Sequence, residues 1–337
     1  MTVDLLARAP VGLLPVLTFL AALLYLDSFK LVGLRFLSSA IGIGMLAAAA
    51  SYPLNVALLG SSSMEFVSYT RYVSPWIEEA LKAAVLVYLV RTQRVALLVD
   101  AAIVGFAIGT GFALVENLYY LATRGDAPLA VQVIRGFGTA IMHGGATAIF
   151  GIVSVALVER HPQRVAAAFL PGLLAAVAMH SAYNHLLFRP ALATLAILLA
   201  LPPLLYFVFQ RSERSLRDWL DADLDSDIEL LQLLDSDAFT ESHVGAYLHS
   251  LKARFRGEVV ADMLCYLRLH LELAMRAKGV LLMRESGIVA GVDAETRANL
   301  AELRYLERSI GRTGQLALRP VLRTTSRDLW QFYMLGE

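Results

Sequence analysis

Four apolar stretches of this 337-residue chain each carry side chains able to do acid–base or metal chemistry. The first reads Pro75-Trp76-Ile77-Glu78-Glu79-Ala80-Leu81-Lys82 and the second ends Phe112-Ala113-Leu114-Val115-Glu116-Asn117. The third holds His143-Gly144-Gly145, and the fourth reads His180-Ser181-Ala182-Tyr183-Asn184-His185. A carboxylate can take a proton from water, a lysine can keep a buried carboxylate ionised, and histidine nitrogens can move protons or bind a metal. On a helix, Glu78 and Lys82 stand at i,i+4 and Glu79 and Lys82 at i,i+3, so Lys82 can neutralise either acid on one face. His180 and Asn184 share a face in the same way. Ionisable groups are costly in lipid, and those that persist there mark function.

These groups sit in a chain made of two materials. It is 57% hydrophobic and only 17% charged, against about a quarter charged in an ordinary soluble domain. Residues 1–210 hold 21 charged side chains and residues 211–337 hold 37. The expected division is therefore a membrane-embedded bundle over 1–210 and a soluble helical domain over 211–337. This composition argues against a cytosolic globular enzyme. The balance of 29 basic and 29 acidic side chains gives no electrostatic case for nucleic acid. Cys265 is the single cysteine, so neither an internal disulfide nor a CxxC pair exists.

Charged and Pro/Gly breaks predict seven spans, at about 10–26, 31–59, 75–90, 95–121, 129–158, 165–188 and 191–209. Crossing the hydrocarbon core takes about 20 helical residues, which makes the first and third short. The first is followed by Asp27-Ser28-Phe29-Lys30 without a small-x-small cleavage signal, so it reads as a retained span. Pro53 is expected to kink or end the second. Gly105, Gly109, Gly111, Gly136, Gly138, Gly144 and Gly145 predict close helix contact in the fourth and fifth. Alternation puts Lys30, Arg35, Arg91, Arg94, Arg160, Arg164, Arg211, Arg214 and Arg217 on one side, and Arg8, Arg71, Arg124 and Arg189 on the other. The positive-inside rule then sets the amino terminus outside and the carboxyl tail in the cytosol. The four polar motifs fall in the same outer half of the bilayer, while Asp100 is expected at the cytosolic interface.

With Glu78 to Lys82 as an EExxK, Phe112 to Asn117 as an FxxxEN, and then His143 and His180 to Asn184, the chain resembles the PrsW family of intramembrane proteases. That family is related to the CAAX-protease and bacteriocin-processing superfamily. The resemblance covers roughly residues 30–209 and none of 211–337. It implies an all-α polytopic bundle in a bacterial inner membrane, cutting a membrane-anchored protein near the outer face. An anti-sigma factor undergoing first-site cleavage is such a substrate. By similarity to the superfamily, the EExxK glutamates act as base and the HxxxN pair as oxyanion site. On this reading Glu78 or Glu79, held near Lys82, deprotonates water with help from His143, and His180 and Asn184 polarise the scissile carbonyl. Glu116 holds a second water or orients a histidine. Glutamate chemistry without metal is preferred. The competing mechanism is a zinc site of His143, His180 and Glu116 with a position left for water, although no HExxH fixes two ligands on one helix.

Other readings use fewer of these residues. Interhelical hydrogen bonding would account for Asn117, Asn184 or His185 taken singly. A transporter or channel would use the Glu, His and Lys groups as a proton or ion relay, but no inverted repeat is detectable. A receptor signalling through its tail would leave the intramembrane groups without a task. No GxSxG elbow supports a serine nucleophile, and Cys265 lies outside the apolar region.

The tail reads as helical. A stripe of Met263, Leu264, Leu267, Leu271, Ala274 and Met275 predicts a helix over about 258–283, and Leu300, Leu303, Leu306 and Ile310 predict another from Asp293 to Ile310. Leu329 to Met334 is expected to dock as a short helix. Ser226-Asp227-Ile228-Glu229 reads as a capping box ahead of Leu230. Asp221, Asp223, Asp225 and Asp227 alternate, but Ser226 and Gln232 stand where a calcium loop needs Gly and Glu. That run is expected to be a solvated linker. A cytosolic partner is the role left open for the tail.

Overall fold

The computed structural model describes residues 14, 17–123, 128–185, 190–288, 291–322 and 326–336. Arg8, Arg124 and Arg189, on which the orientation expectation drew, lie outside them, as does most of 10–16. Long apolar runs with few breakers propagate as helix, and no strand occurs among the described residues. Leu17–Leu26 forms α1, Leu34–Ser61 α2, Phe66–Tyr72 α3 and Ser74–Arg91 α4. Leu98–Thr123, Leu129–Arg160 and Val165–His185 form α5, α6 and α7, and α8 runs from Pro190 to Leu234. His243–Leu251, Gly257–Glu285, Ala294–Leu318 and Ser326–Gly336 complete the chain as α9, α10, α11 and α12. It divides into two compact units, Met1–Glu213 and Arg214–Glu337.

Among the described residues, five helices are long and apolar enough to cross a membrane: α2, α5, α6 from Gly136, α7 and α8 from Thr194. The other two expected spans fall short for physical reasons. α1 is only ten residues of apolar helix within the described part. α4 places Glu78, Glu79, Lys82 and Arg91 within 18 residues. α2 does not end at Pro53 but continues to Ser61, close to the expected end of its span.

The first unit is organised around α5, whose residues Val99 to Ala113 are all buried. It packs chiefly on α6 and α2. A helix apolar on every side suits this central place, and glycine permits the approach. A Cβ on Gly109 would lie 2.2 Å from the His143 carbonyl oxygen of α6, and one on Gly111 would lie 1.9 Å from that of Ile41 on α2. Backbones this close gain van der Waals contact that larger residues forbid. Asp100, third residue of α5, faces the protein interior. It is buried, and its carboxylate accepts from the Ala96 and Leu97 amides at 3.0 and 2.8 Å, satisfying the start of α5.

α8 overturns the expected linker. It continues through Pro202 and Pro203 to Leu234, and the expected capping box at Ser226 lies inside it. No Gly or Pro occurs between Leu204 and Leu234, so the loss of apolar character brings no helix breaker. Two of the four aspartates in this stretch are bound rather than solvated. Asp223 and Asp227, one turn apart, both accept from Lys278 Nζ, and that lysine is 0% exposed. In the second unit, Met263, Leu267 and Leu271 of α10 pack with Ile310 and Leu318 of α11, Leu322 and the α9 leucines. Leu264 turns outward, away from the predicted stripe. Asp293 caps α11 by accepting from the Thr296 amide at 2.8 Å, and Trp330 buries α12. His270 of α10 lies edge-on to Tyr266 and Phe332. Burial, with the Lys278 ammonium adding to it, holds this imidazole down from 6.5 to about 4.

Two outcomes follow. Gly109→Ala forces α5 and α6 apart and is expected to lower stability by about 1–3 kcal/mol, read as the melting temperature of the detergent-solubilised chain. Gly60→Ala, with nothing within 4 Å of its Cβ, should be neutral or slightly stabilising. For His270, the unfolded chain binds a proton as pH falls below 6.5, whereas the folded unit does not until about pH 4. The second unit should therefore weaken as pH drops through that window, by up to about 1.4 kcal/mol per pH unit. Tryptophan fluorescence in urea should show a shallower pH dependence in His270→Gln than in the unaltered chain.

Candidate active site

α3 and α4 meet at Val73, and Pro75 in the first turn of α4 is pre-set for helix. The EExxK spacing then separates its two acids. Glu79 turns inward with Lys82, and both are buried, at 2% and 0% exposure. The Lys82 ammonium donates to Glu79 Oε1 at 2.6 Å and lies 2.9 Å from His143 Nδ1 on α6. Its Nζ also stands 4.6 Å from the centre of the Phe112 ring of α5. Glu79 Oε1 lies 2.7 Å from His180 Nδ1 on α7. Glu116 Oε2 on α5 lies 2.5 Å from His143 Nε2. The two imidazoles meet edge to face with centroids 4.8 Å apart. Four helices thus bring Glu79, Lys82, Glu116, His143 and His180 into one network.

With Lys82 taken as protonated, the contacts assign the histidine tautomers. A protonated Lys82 donates to His143 Nδ1, which leaves the His143 proton on Nε2, donated to Glu116. His180 gives its Nδ1 proton to Glu79, and its Nε2 lone pair points elsewhere. That nitrogen lies 3.9 Å from Glu78 Oε2, too far for a hydrogen bond.

Glu78 faces a different environment from Glu79. It lines an open cavity of about 480 Å³ together with Asn55, Tyr69, Phe112, Glu116 and Tyr119. Ser74 Oγ donates to Glu78 Oε1 at 2.6 Å, and Asn55 Nδ2 donates to the same oxygen at 3.4 Å. Tyr69 donates to Asn55 Oδ1 at 3.0 Å, which turns the amide nitrogen towards Glu78. The Glu116 side chain is 43% exposed and that of Glu78 15%, so these two carboxylates are the ones water can reach.

Asn184 is placed differently from the expectation. Its amide donates to the Thr70 carbonyl at 2.9 Å, so it is committed to α3 rather than paired with His180. Ser181 donates to the Arg71 carbonyl at 2.6 Å, and His185 Nε2 lies 3.0 Å from the Tyr72 hydroxyl. These α7 side chains hold the carboxyl end of α3, whose last carbonyls have no partner within the helix. Asn117 bonds the Gly136 carbonyl at 3.0 Å and ties α5 to α6. Asn55, Tyr69 and Ser74 were not among the residues singled out from sequence. The available signals were a lone Asn in the apolar α2 and a Ser directly before Pro75.

The donor atoms that come together for a metal are those of Glu78, His143 and His180, all within 4.8 Å of one another. The carboxylate is thus Glu78, where the sequence pointed to Glu116. Two donors about 2.1 Å from a tetrahedral zinc lie about 3.4 Å apart, so Glu78 Oε2 and His180 Nε2, 3.9 Å apart, need only a small approach to share one. Ligation through His143 Nε2 requires its proton to move to Nδ1 and Lys82 to turn to Glu79 alone. Charge also fits: Glu78, Glu79 and Glu116 face a single ammonium, an excess that a divalent cation would offset.

The model of one protein family, described as PrsW family intramembrane metalloprotease, matches residues 28–209. No curated protein matches the chain, and no solved structure does.

The ion pair gives a direct test. Lys82→Met alone leaves Glu79 charged in an apolar setting with His180 but no counter-ion, expected to cost about 3–5 kcal/mol. Adding Glu79→Gln to Lys82→Met should restore most of the melting temperature of the detergent-solubilised chain. Equal loss in the single and double variants would mean that the pair does not act as a unit.

Proposed function

Because the chain belongs to the PrsW family of intramembrane metalloproteases, we propose that the cavity beside Glu78 is where a membrane-anchored protein is hydrolysed. The observation that carries this reading is the placement of two water-accessible carboxylates, Glu78 and Glu116, against a buried ion-pair network in an apolar bundle. Hydrolysis inside a membrane needs a carboxylate that stays ionised, a donor for the carbonyl oxygen and a path for water. The cavity is open and lined by two carboxylates, Glu78 and Glu116, and by the Asn55 amide, which supports this reading.

In the proposed reaction Glu78 takes a proton from water, the water oxygen attacks the scissile carbonyl carbon, and the proton passes on to the departing amine nitrogen. Ser74 and Asn55 steady the Glu78 carboxylate before attack. The Asn55 amide, oriented by Tyr69, is the donor proposed for the developing oxyanion, the task the HxxxN pattern assigned to Asn184. His180 is held by Glu79, and His143 by Lys82 and Glu116. A zinc ion held by Glu78, His143 and His180 would supply Lewis acidity to water and carbonyl. Glu116 then remains as the exposed proton acceptor.

The proposed setting is a bacterial inner membrane crossed seven times, with α1 and α4 as the short spans, the amino terminus outside and residues 211–337 in the cytosol. The cavity then opens towards the outer half, which suits first-site cleavage of a substrate such as an anti-sigma factor.

The test compares new amino termini of membrane proteins in cells making the unaltered chain and Glu78→Gln at equal abundance. Termini present only with the unaltered chain support the reading, and identical sets under rest and envelope stress overturn it. Metal analysis of the purified chain separates the two chemistries. One zinc per chain, lost in His180→Ala and kept in Asn184→Ala, supports the metal site. A metal-free chain that still cleaves assigns the base to Glu78 alone.

A further inference from the structure

The second unit holds a cavity of about 540 Å³ that hydrolysis does not use. Trp219, Asp223 and Asp227 of α8, His270 of α10, and Asp328 and Gln331 of α12 supply its polar and aromatic wall, and the remainder is largely aliphatic. Two of these side chains are deeply buried with an atom left over. Gln331 is 1% exposed and its Oε1 has no hydrogen-bond partner among the described residues. His270 is 6% exposed and its Nδ1 is likewise without one. Buried polar atoms are nearly always paired, so two that line one cavity point to a ligand.

The wall also states the chemistry of that ligand. Gln331 Oε1 can only accept, and His270 Nδ1 accepts when the ring proton sits on Nε2. Asp223 and Asp227 share one ammonium, that of Lys278, which leaves this group of three negative. Trp219 presents a ring face suited to cations, with Lys278 Nζ already 5.3 Å from its centre. A ligand must therefore donate hydrogen bonds and carry positive charge. A bare metal ion does not fit. The metal-donor grouping found among the described residues is Glu78, His143 and His180, and a cavity of this volume suits a small organic molecule. We infer that residues 214–337 form a receptor domain whose cavity binds an organic cation, a protonated amine on an aliphatic stem, with Gln331 and His270 accepting from it and Asp223 and Asp227 balancing its charge.

The probe is spermidine, titrated into the purified full-length chain in neutral detergent at physiological salt. Tryptophan fluorescence and the urea midpoint of the second unit are followed. Saturable binding with a raised midpoint is expected. Gln331→Leu, which removes the orphaned acceptor and keeps an apolar fill, should weaken binding roughly ten- to a hundredfold without lowering the midpoint of the unliganded chain. Glu229→Gln, on the exposed side of α8, should bind as the unaltered chain does. An absent response at millimolar spermidine overturns the inference. So does an equal response in Gln331→Leu, or one matched by magnesium or by the anion ATP.

Discussion

A lysine ammonium with no access to water sets the terms for the first unit. Lys82 lies among apolar helices, where an unpaired charge would not be tolerated. Its donors must be met from several directions at once. Glu79 meets it from the same helix and His143 from α6. Those partners need partners in turn, so His180 closes on Glu79 and Glu116 closes on His143. The arrangement is possible only because α5 and α6 touch backbone to backbone at Gly109 beside His143. Packing and chemistry are therefore one problem here: the helices must come close enough for a short polar network to be complete.

The second unit repeats the device with different parts. Lys278 is as buried as Lys82, and its two acids come from successive turns of α8. There it fixes α10 to α8 beside a cavity, and an aromatic ring again stands over the ammonium. The two lysines differ in their neighbours. Around Lys82 the network involves both histidines, whereas the cavity near Lys278 keeps atoms of His270 and Gln331 unmatched.

Much of this was readable from residue types and spacing, and the failures are instructive. The helices, the apolar tail stripes and the four polar motifs follow from periodicity and from the rarity of charge in lipid. Spacing could not tell which of two adjacent acids turns inward, because Lys82 reaches either from the same face. The inward choice of Glu79 depends on His180, which is 101 positions away in the chain. Asn55 gave no pattern, being the one amide side chain in a 28-residue helix whose other polar residues are an arginine, a tyrosine and scattered serines. The aspartates of α8 looked like a linker because alternating acid reads as solvated, and only Lys278, 51 residues beyond Asp227, gives them a purpose. Composition changes there while structure does not, because nothing in that stretch breaks a helix.

The carboxyl end of α7 carries two duties on consecutive residues. His180 points into the network, while Ser181, Asn184 and His185 hold α3. α3 joins α4 at Val73, next to Ser74, which steadies Glu78. One helical turn thus locks two sets of contacts in phase. Adding or deleting a single residue between His180 and Asn184 would rotate one set against the other by about 100°. Helix formation would survive such a change, but the roof and the floor of the site could no longer be satisfied together. This short segment can drift in composition far more freely than in length.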